Sequence, residues 1–240
     1  MKLITWNCQG AFRKKADYVL DLKPDILVVQ ECEHTDKLNF NKTSQGPNDS
    51  YWYGDNIHKG IGIFSFSDFK FELLEEFNPK FRYILPFRVT GKKESFLLFA
   101  IWAMDNKENR KERYVGQIWL AIHHYLKMFA EPTILVGDFN SNKIWDHKDR
   151  NGNHSDLVSK LEENNIHSIY HRHFACEQGK EKHPTFYLYR NLQKPYHLDY
   201  CFASTGFLDK LKAIEIGNYE SWIAHSDHTP VTVSFKKLSL

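Results

Sequence analysis

The stretch Ile134-Leu135-Val136-Gly137-Asp138-Phe139-Asn140 carries an apolar run straight into an acid and an amide. Its apolar first half predicts a buried strand. Because side chains alternate along a strand, Asp138 and Asn140 should share one face, and Phe139 should take the other. A buried carboxylate without a partner is costly, so other parts of the chain must bring compensating groups to this strand end.

Similar polar residues end or interrupt other apolar runs. They are Asn7 after "ITW", Glu31 in "ILVVQE", Asp199 in "HLDYCF", and Asp227 with His228 in "HSDHTPVTVSF". Each residue alone also fits a simpler role as a cap or turn residue, as with Asp227 before Pro230. As a set they predict a site for Mg2+ or Mn2+, because hard divalent cations prefer carboxylate and amide oxygens. Such a set suits the attack of water on a phosphate ester.

Composition limits the kind of protein. The chain has 240 residues, 42% of them hydrophobic, which is enough for one large packed core. A formal net charge of +2 argues against a purely electrostatic binder but leaves nucleic acid and small anions open as partners. The four cysteines form no CxxC pair, which argues against a disulfide framework or a zinc knuckle.

The N-terminal residues and the hydropathy bear on location. The first residues begin a strand, not a signal peptide, and no apolar run is long enough to span a bilayer. Reduced, irregularly spaced cysteines are typical of an intracellular setting. We therefore expect a soluble, cytoplasmic protein with no membrane partner and no obligate protein partner.

Apolar runs along the chain predict strands and amphipathic runs predict helices. The predicted strands are Lys2–Trp6, Asp25–Gln30, Gly60–Phe66, Phe69–Leu74, Phe81–Thr90, Phe96–Trp102, Thr133–Gly137, Pro184–Leu188, His197–Ala203, Ala213–Ile216 and Val231–Phe235. The predicted helices are Ala11–Leu22, Lys111–Ala130 and Ser155–Asn164. The excess of strands favours mixed sheets packed on each other with helices outside. No linker or repeat divides the sequence, which predicts a single domain over residues 1–240.

Five short motifs, in their order along the chain, resemble the endonuclease/exonuclease/phosphatase superfamily. They are "TWN" ending at Asn7, "QE" ending at Glu31, "GDFN" at 137–140, "LDY" at 198–200 and "SDHTPV" at 226–231, and the glycine-rich run at 60–65 is also similar. This superfamily contains deoxyribonuclease I, exonuclease III and related apurinic/apyrimidinic endonucleases, inositol polyphosphate 5-phosphatases and sphingomyelinases. The resemblance spans Thr5 to Val231. It implies an α/β fold, a four-layer α/β/β/α sandwich of two mixed β-sheets flanked by helices, with the site at one edge of the sheets.

The resemblance also implies a metal site. Glu31 would be the principal ligand of Mg2+, with Mn2+ as a possible substitute, and Asn7 would support the metal or the phosphate. Asp227 would lie next to the metal and bind it directly or through water. The number of metal ions is left open.

Catalytic roles follow from the same resemblance. Asp138 would orient and activate the attacking water, and Asn140 would donate a hydrogen bond to the phosphate. His228 would stabilise the charge on the phosphoryl group in the transition state. Asp199 would orient His228 through a carboxylate–imidazole hydrogen bond.

One position departs from the family pattern. Where members often present a His or Tyr after the strand that ends "SFLLFAIWAM", this chain has Trp102. Tryptophan offers one N–H donor and cannot act as an acid or a base. Either Trp102 is a core aromatic and the role is absent, or His197, which alternation places on the Asp199 face, or Asp105-Asn106 substitutes. His197 and Trp102 therefore remain candidates for substrate binding.

A basic loop, Ser141–His154, directly follows Asn140 and would flank the site. It contains Trp145, which could stack on a substrate ring. The simpler interpretation is a solvated loop of mixed charge, in which Trp145 only packs.

We therefore expect a Mg2+-dependent phosphodiesterase, with DNA as its substrate and either an endonuclease or an exonuclease mode. The basic loop favours a polymeric polyanion as substrate, and the short chain without added domains favours a small nuclease. One alternative is a phosphatase of a small phosphorylated metabolite or inositol phosphate. Another is a catalytically silent nucleic-acid-binding module, although such a module has no need for both a water-activating acid and a metal ligand.

Overall fold

Fourteen strands and six α-helices lie in the described part of the chain, which is residues 1–40, 46–148 and 150–236 of a computed structural model. The strands are β1 (Lys2–Asn7), β2 (Ile26–Cys32), β3 (Asp49–Asn56), β4 (Lys59–Ser65), β5 (Lys70–Leu73), β6 (Ile84–Thr90), β7 (Ser95–Trp102), β8 (Thr133–Asp138), β9 (Ile166–Ser168), β10 (Phe186–Tyr187), β11 (Pro195–Tyr196), β12 (Asp199–Ser204), β13 (Leu211–Ile216) and β14 (Val231–Phe235). The helices are α1 (Ala16–Leu20), α2 (Val115–His124), α3 (His154–Glu162), α4 (Ile169–Phe174), α5 (Thr205–Leu208) and α6 (Tyr219–Trp222).

Most of the strands belong to two six-stranded sheets. The order is β13-β14-β1-β2-β4-β3 in the first sheet and β5-β6-β7-β8-β12-β9 in the second, while β10 and β11 form a separate ribbon. Each sheet is mixed, because β1 runs parallel to β2 and β7 runs parallel to β8 among otherwise antiparallel pairs. The parallel pair lies at the centre of each sheet, so the central strands are covered on both faces.

Side-chain alternation divides each central strand between two cores. In β1, Leu3 faces the space between the sheets, whereas Ile4 and Trp6 face the side covered by α1 and α6. In β8, Val136 faces between the sheets and Leu135 faces α2 and α3. The layers are therefore helix, sheet, sheet and helix, which confirms the four-layer α/β/β/α sandwich.

Two of the predicted helices are shorter in the structure. The segment predicted as Ala11–Leu22 is a 3-10 turn, Phe12–Lys14, followed by α1, because the backbone leaves the helical region at Lys15. The segment predicted as Lys111–Ala130 contains α2 between two 3-10 turns, and the second turn is Leu126–Ala130. The sequence does not predict β3, because this edge strand is only partly buried and lacks a clear apolar alternation.

Within the described ranges, no helix is long and apolar enough to cross a membrane. Position 149, inside the loop predicted at Ser141–His154, lies outside the described residues. The single domain predicted over residues 1–240 stays a prediction.

Candidate active site

Predicted site residues meet where the central strands of both sheets end. Asn7 ends β1 and Asp138 ends β8, and the Nδ2 of Asn7 donates a 2.9 Å hydrogen bond to Oδ2 of Asp138 across the gap between the sheets. Asp199 begins β12 and is the register partner of Asp138. Because β8 and β12 are antiparallel, the end of one strand lies beside the start of the other. The two sheets thus bring two acids and one amide into contact.

His228 lies between the two carboxylates. Its Nδ1 is 2.8 Å from Oδ2 of Asp199, and its Nε2 is 4.0 Å from Oδ2 of Asp138. Burial by itself lowers the pKa of His228, but the charges of Asp199 and Asp138 outweigh burial and raise that pKa to about 10. The side chain is therefore an imidazolium at neutral pH, with both ring nitrogens as donors.

Asp138 is fully buried and accepts several hydrogen bonds. Besides the bond from Asn7, its Oδ1 accepts from the backbone N–H of Asn140 at 2.9 Å, and its Oδ2 accepts from Nδ2 of Asn140 at 3.0 Å. Burial raises the pKa of Asp138 to about 7, with the charge of His228 opposing the rise and that of Asp199 adding to it. A carboxylate that titrates near neutral pH is suited to act as a general base.

Asn140 lies against Asp138 for a reason other than strand alternation. The strand β8 ends at Asp138, and Asn140 has a left-handed backbone with a φ of 45°. Its Nδ2 donates to Asp138 and also to the carbonyl O of Ala103 at 2.8 Å. Both amide hydrogens are thus engaged, so Asn140 positions Asp138 here, and its donation to a phosphate stays a prediction.

Glu31 reaches the site through an irregularity in β2. Its neighbours in the strand pair with consecutive residues of β4, so Glu31 is the extra residue of a β-bulge and has a left-handed φ of 58°. Bulges redirect side chains. The carboxylate of Glu31 comes within 3.4 Å of Nδ2 of Asn7 and within 2.9 Å of Nζ of Lys59.

Asp227 is near enough to Glu31 for the two charges to interact. It accepts a 2.8 Å hydrogen bond from Nε2 of Gln9, and the adjacent Ser226 fixes this loop by donating from Oγ to the carbonyl O of Asn7 at 2.7 Å. Burial raises the pKa of Asp227; the charge of His228 opposes this rise, and the charge of Glu31 adds to it. The Glu31 and Asp227 carboxylates therefore repel each other, and a bound cation would relieve that repulsion.

One group of three side chains in the described part of the chain is close enough to hold a cation. Asp138, Asp199 and His228 offer ligand atoms within 4.8 Å of one another. However, a protonated His228 donates at both ring nitrogens and has no lone pair for a metal. In the described part of the chain, Oδ1 of Asp199 is buried without a hydrogen-bond partner. The donor chemistry therefore makes His228 a hydrogen-bond donor in this group and not a metal ligand.

A cavity of about 500 Å³ opens beside Asn140. The rings of Trp145, Phe186 and Tyr196 line it. Trp145 is 48% exposed, and its ring centroid lies 5.1 Å from that of Tyr196. Phe186 also packs on His228, with 4.6 Å between the centroids. The cavity therefore adjoins Asn140 and His228, and its size and ring lining suit one planar group of a ligand.

A basic depression of about 790 Å³ adjoins this cavity and shares Tyr114 and Arg150 with it. Its other basic residues are Arg110, Lys111 and Arg113. Arg113 pairs with Asp105, with 2.5 Å between Nε and Oδ1, whereas Arg110 and Lys111 are exposed. The depression suits an extended anion that continues beyond the cavity.

Trp102 lies at the edge of the site but is almost fully buried. It ends β7 as the register partner of Asp138, and 3% of its surface is exposed. Its ring packs on Tyr83 at 4.7 Å between centroids, and Nζ of Lys59 lies 5.5 Å from its centroid. These contacts fit a core aromatic at the edge of the site.

The hydrogen bond of the His197 ring goes to His183, and not to Asp199 or His228. β12 begins two residues after His197, so strand alternation does not govern its direction. Its Nδ1 pairs with the carbonyl O of His183 at 2.8 Å, and its ring packs on Tyr170 at 4.5 Å. Burial lowers the pKa of His197 to about 4, so the ring is neutral. Its role in substrate binding stays a prediction.

The sequence does not single out several residues that shape the site. They are Gln9, Lys59, Phe186, Tyr196 and Ser226. Local signals exist for some of them, because Gln9 closely follows "TWN", Ser226 begins "SDH" and Lys59 precedes the glycine-rich run. The signal for Phe186 and Tyr196 is weaker, since it is their pairing in the β10–β11 ribbon, with the bridge from Phe186 to His228, that brings them to the cavity.

Comparisons with known proteins identify a family model and several similar structures. The chain matches the model of the Endonuclease/Exonuclease/phosphatase family over residues 4–216. Comparison with curated protein sequences finds no match.

Among solved structures, the chain is similar to the 3′ phosphatase NExo from Neisseria bound to a product DNA hairpin, at 21% identity over 99% of this chain and 100% of that chain, with a TM-score of 0.72. It is also similar to an AP endonuclease from Archaeoglobus fulgidus, at 19% identity over 98% of this chain and 99% of that chain, with a TM-score of 0.66. A third similar structure is the Xenopus laevis APE2 catalytic domain, at 16% identity over 98% of this chain and 92% of that chain, with a TM-score of 0.69. At these identities the likeness shows the fold.

Proposed function

The chain belongs to the endonuclease/exonuclease/phosphatase family, and we propose that it is a Mg2+-dependent phosphodiesterase that acts on DNA. Family membership makes it a hydrolase of phosphoester bonds; the metal, the substrate and the residue roles are the proposed part. The observation that carries the proposal is the proximity of Asp138 to an imidazolium at His228, 4.0 Å apart. A general base and a cationic donor at this separation could act on one water and one phosphoryl oxygen.

The residues around Glu31 fit a hard divalent cation. Glu31, Asn7 and Asp227 offer oxygen ligands. A bound cation would neutralise the repulsion between the carboxylates of Glu31 and Asp227. When bound, Mg2+ would neutralise charge on the phosphoryl and leaving oxygens. We assign Glu31 as the principal ligand, with Asn7 and Asp227 beside it.

The remaining residues supply the proton chemistry. Asp138 takes a proton from the attacking water, and His228 donates a hydrogen bond to the phosphoryl oxygen as negative charge develops there. Asp199 keeps His228 protonated and oriented, since its Oδ2 lies 2.8 Å from Nδ1 of the ring. Asn7 and Asn140 hold the Asp138 carboxylate through their side-chain amides.

The proposal of DNA as substrate is supported by the surface next to these residues. The cavity lined by Trp145, Phe186 and Tyr196 could take a nucleoside next to the phosphate. The adjoining basic depression could follow the backbone of the same strand. The similar structure of NExo is described as bound to a product DNA hairpin, which supports the same choice.

A phosphatase is the second candidate. The similar structure NExo is described as a 3′ phosphatase, so a terminal phosphate on DNA is one form of this alternative. A phosphorylated small molecule, such as an inositol phosphate, is the other form. Hydrolysis of a phosphodiester and of a phosphomonoester would use the same general base, Asp138, and the same donor, His228. The two reactions differ in the substrate that binds, which the fold does not determine.

A substrate panel tests the proposal. The purified chain is incubated with Mg2+ and with plasmid DNA, abasic duplex, single-stranded DNA, DNA with a 3′ phosphate, RNA or inositol phosphates. We expect strand cleavage of DNA that EDTA stops and that Asp138→Asn lacks. Release of phosphate from inositol phosphates without DNA cleavage would overturn the choice of substrate. Binding of DNA with no turnover of any substrate would favour a silent binding module.

A further inference from the structure

The site contains a lysine at the carboxylate that we assign to the metal. Nζ of Lys59 lies 2.9 Å from Oε2 of Glu31. Lys59 is the first residue of β4, beside the bulge that directs Glu31 out of β2. The catalytic roles proposed above do not use Lys59. The position of Lys59 beside Glu31 therefore needs a separate explanation.

We propose that Lys59 competes with the divalent cation for Glu31 and so sets the affinity of the metal site. This inference rests on the assignment of Glu31 as a metal ligand in the proposed function. A cation that approaches the Glu31 carboxylate meets the ammonium group of Lys59, and the like charges repel. Metal binding therefore weakens the Lys59–Glu31 ion pair.

The ion pair is exposed enough to be replaced. The side chain of Lys59 is 47% exposed and that of Glu31 is 19% exposed. Ion pairs in contact with solvent are weak because water screens them and the long lysine side chain loses freedom. A divalent cation with several oxygen ligands binds more strongly than one ammonium group, so it can take the Glu31 oxygen.

Trp102 offers the displaced ammonium another contact. Nζ of Lys59 already lies 5.5 Å from the centroid of the Trp102 ring. A cation over an indole face is attracted by the ring electrons, and the lysine stem can pack along the same surface. This contact gives a physical use for tryptophan at the position where the family resemblance leads one to expect His or Tyr.

The Lys59–Glu31 ion pair also bears on the metal-free form of the protein. Glu31 has a left-handed backbone and repels the nearby Asp227 carboxylate. Lys59 partly neutralises Glu31 in that state. We therefore expect Lys59 to stabilise the metal-free form and to lower the affinity for the metal.

Isothermal titration calorimetry of Mn2+ into the full chain, without substrate, tests this inference. Lys59→Gln should bind Mn2+ roughly two- to five-fold more tightly than the wild type. Lys59→Arg keeps the charge and should remain close to the wild type. Lys37→Gln is the matched control, because Nζ of Lys37 contacts His58, the neighbour of Lys59, and not Glu31. Glu31→Ala should lose the binding.

The outcomes separate this inference from the proposed function. Equal or weaker Mn2+ binding by Lys59→Gln, together with loss of binding in Glu31→Ala, would overturn the competition and leave the metal site in place. Failure of the wild type to bind Mn2+ would overturn both. A similar tightening in Lys37→Gln would point to net surface charge and would also overturn the role given to Lys59.

Discussion

Asp138 and Asp199 lie directly opposite each other as register partners on β8 and β12. Like charges at opposed positions destabilise paired strands, and both of these side chains are buried. His228 resolves the conflict, because its ring lies 2.8 Å from Asp199 and 4.0 Å from Asp138. The positive charge of His228 reduces the repulsion between the two carboxylates, and the two carboxylates in turn keep the imidazole protonated.

The first prediction concerns Asp199→Asn. Without this negative charge, burial should pull the pKa of His228 down from about 10, so the imidazolium is lost at a lower pH. We expect kcat/KM on DNA to fall by roughly 100-fold or more. Measurements of kcat/KM against pH check the reason, since the alkaline limb should move to lower pH. If Asp199 had only a structural role, Asp199→Asn would lower the unfolding temperature and leave the alkaline limb of the pH profile unchanged.

The second prediction is the pH dependence of the wild type. Asp138 must be deprotonated to act as a base, and its pKa is raised to about 7 by burial. Activity should therefore increase as the pH rises through about 7 and level off above it. It should fall again near pH 10, where His228 loses its proton. Initial rates at saturating Mg2+ and low substrate give the profile. A profile that is flat across neutral pH would contradict the role of Asp138.

The strand ends of the site could be predicted, but some of its geometry could not. Alternation correctly suggests that Asp138 and Asn140 lie together, although a left-handed turn at Asn140, and not a continued strand, produces the contact. Glu31 reaches the site only because β2 contains a bulge. A bulge depends on the pairing with β4, which no local pattern in β2 specifies.

The same distinction holds for the fold. Buried central strands such as β8 are visible as continuous apolar runs, and the predicted Val231–Phe235 strand has the same limits in the structure. The edge strand β3 is missed because its side chains are only partly buried. Alternation alone does not fix the direction of the His197 side chain, because β12 begins only at Asp199, where the backbone N–H groups of Leu198 and Asp199 donate to Oγ1 of Thr185.

The third prediction concerns Trp145→Ala. If Trp145 stacks on a base in the cavity, its removal should cost about 1–3 kcal/mol of binding free energy. That cost should appear as a rise in KM for DNA, with little change in stability because Trp145 is 48% exposed. Ile144→Ala is the matched control, since Ile144 is 55% exposed in the same turn and does not line the cavity. Equal effects of the two variants would remove the stacking role.

The fourth prediction concerns Gly137, which directly precedes Asp138 in β8. Its φ is +144°, and a Cβ there would lie 1.9 Å from the carbonyl O of Ile101 on the paired strand β7. Gly137→Ala should therefore destabilise the fold by about 3 kcal/mol and lower Tm by roughly 10 °C, because backbone on a central strand has to move. Gly206→Ala is the control, since a Cβ on that glycine of α5 meets nothing within 4 Å. Thermal unfolding followed by circular dichroism compares the two. A Gly137→Ala variant as stable as Gly206→Ala would show that the strand can shift away from this close contact without loss.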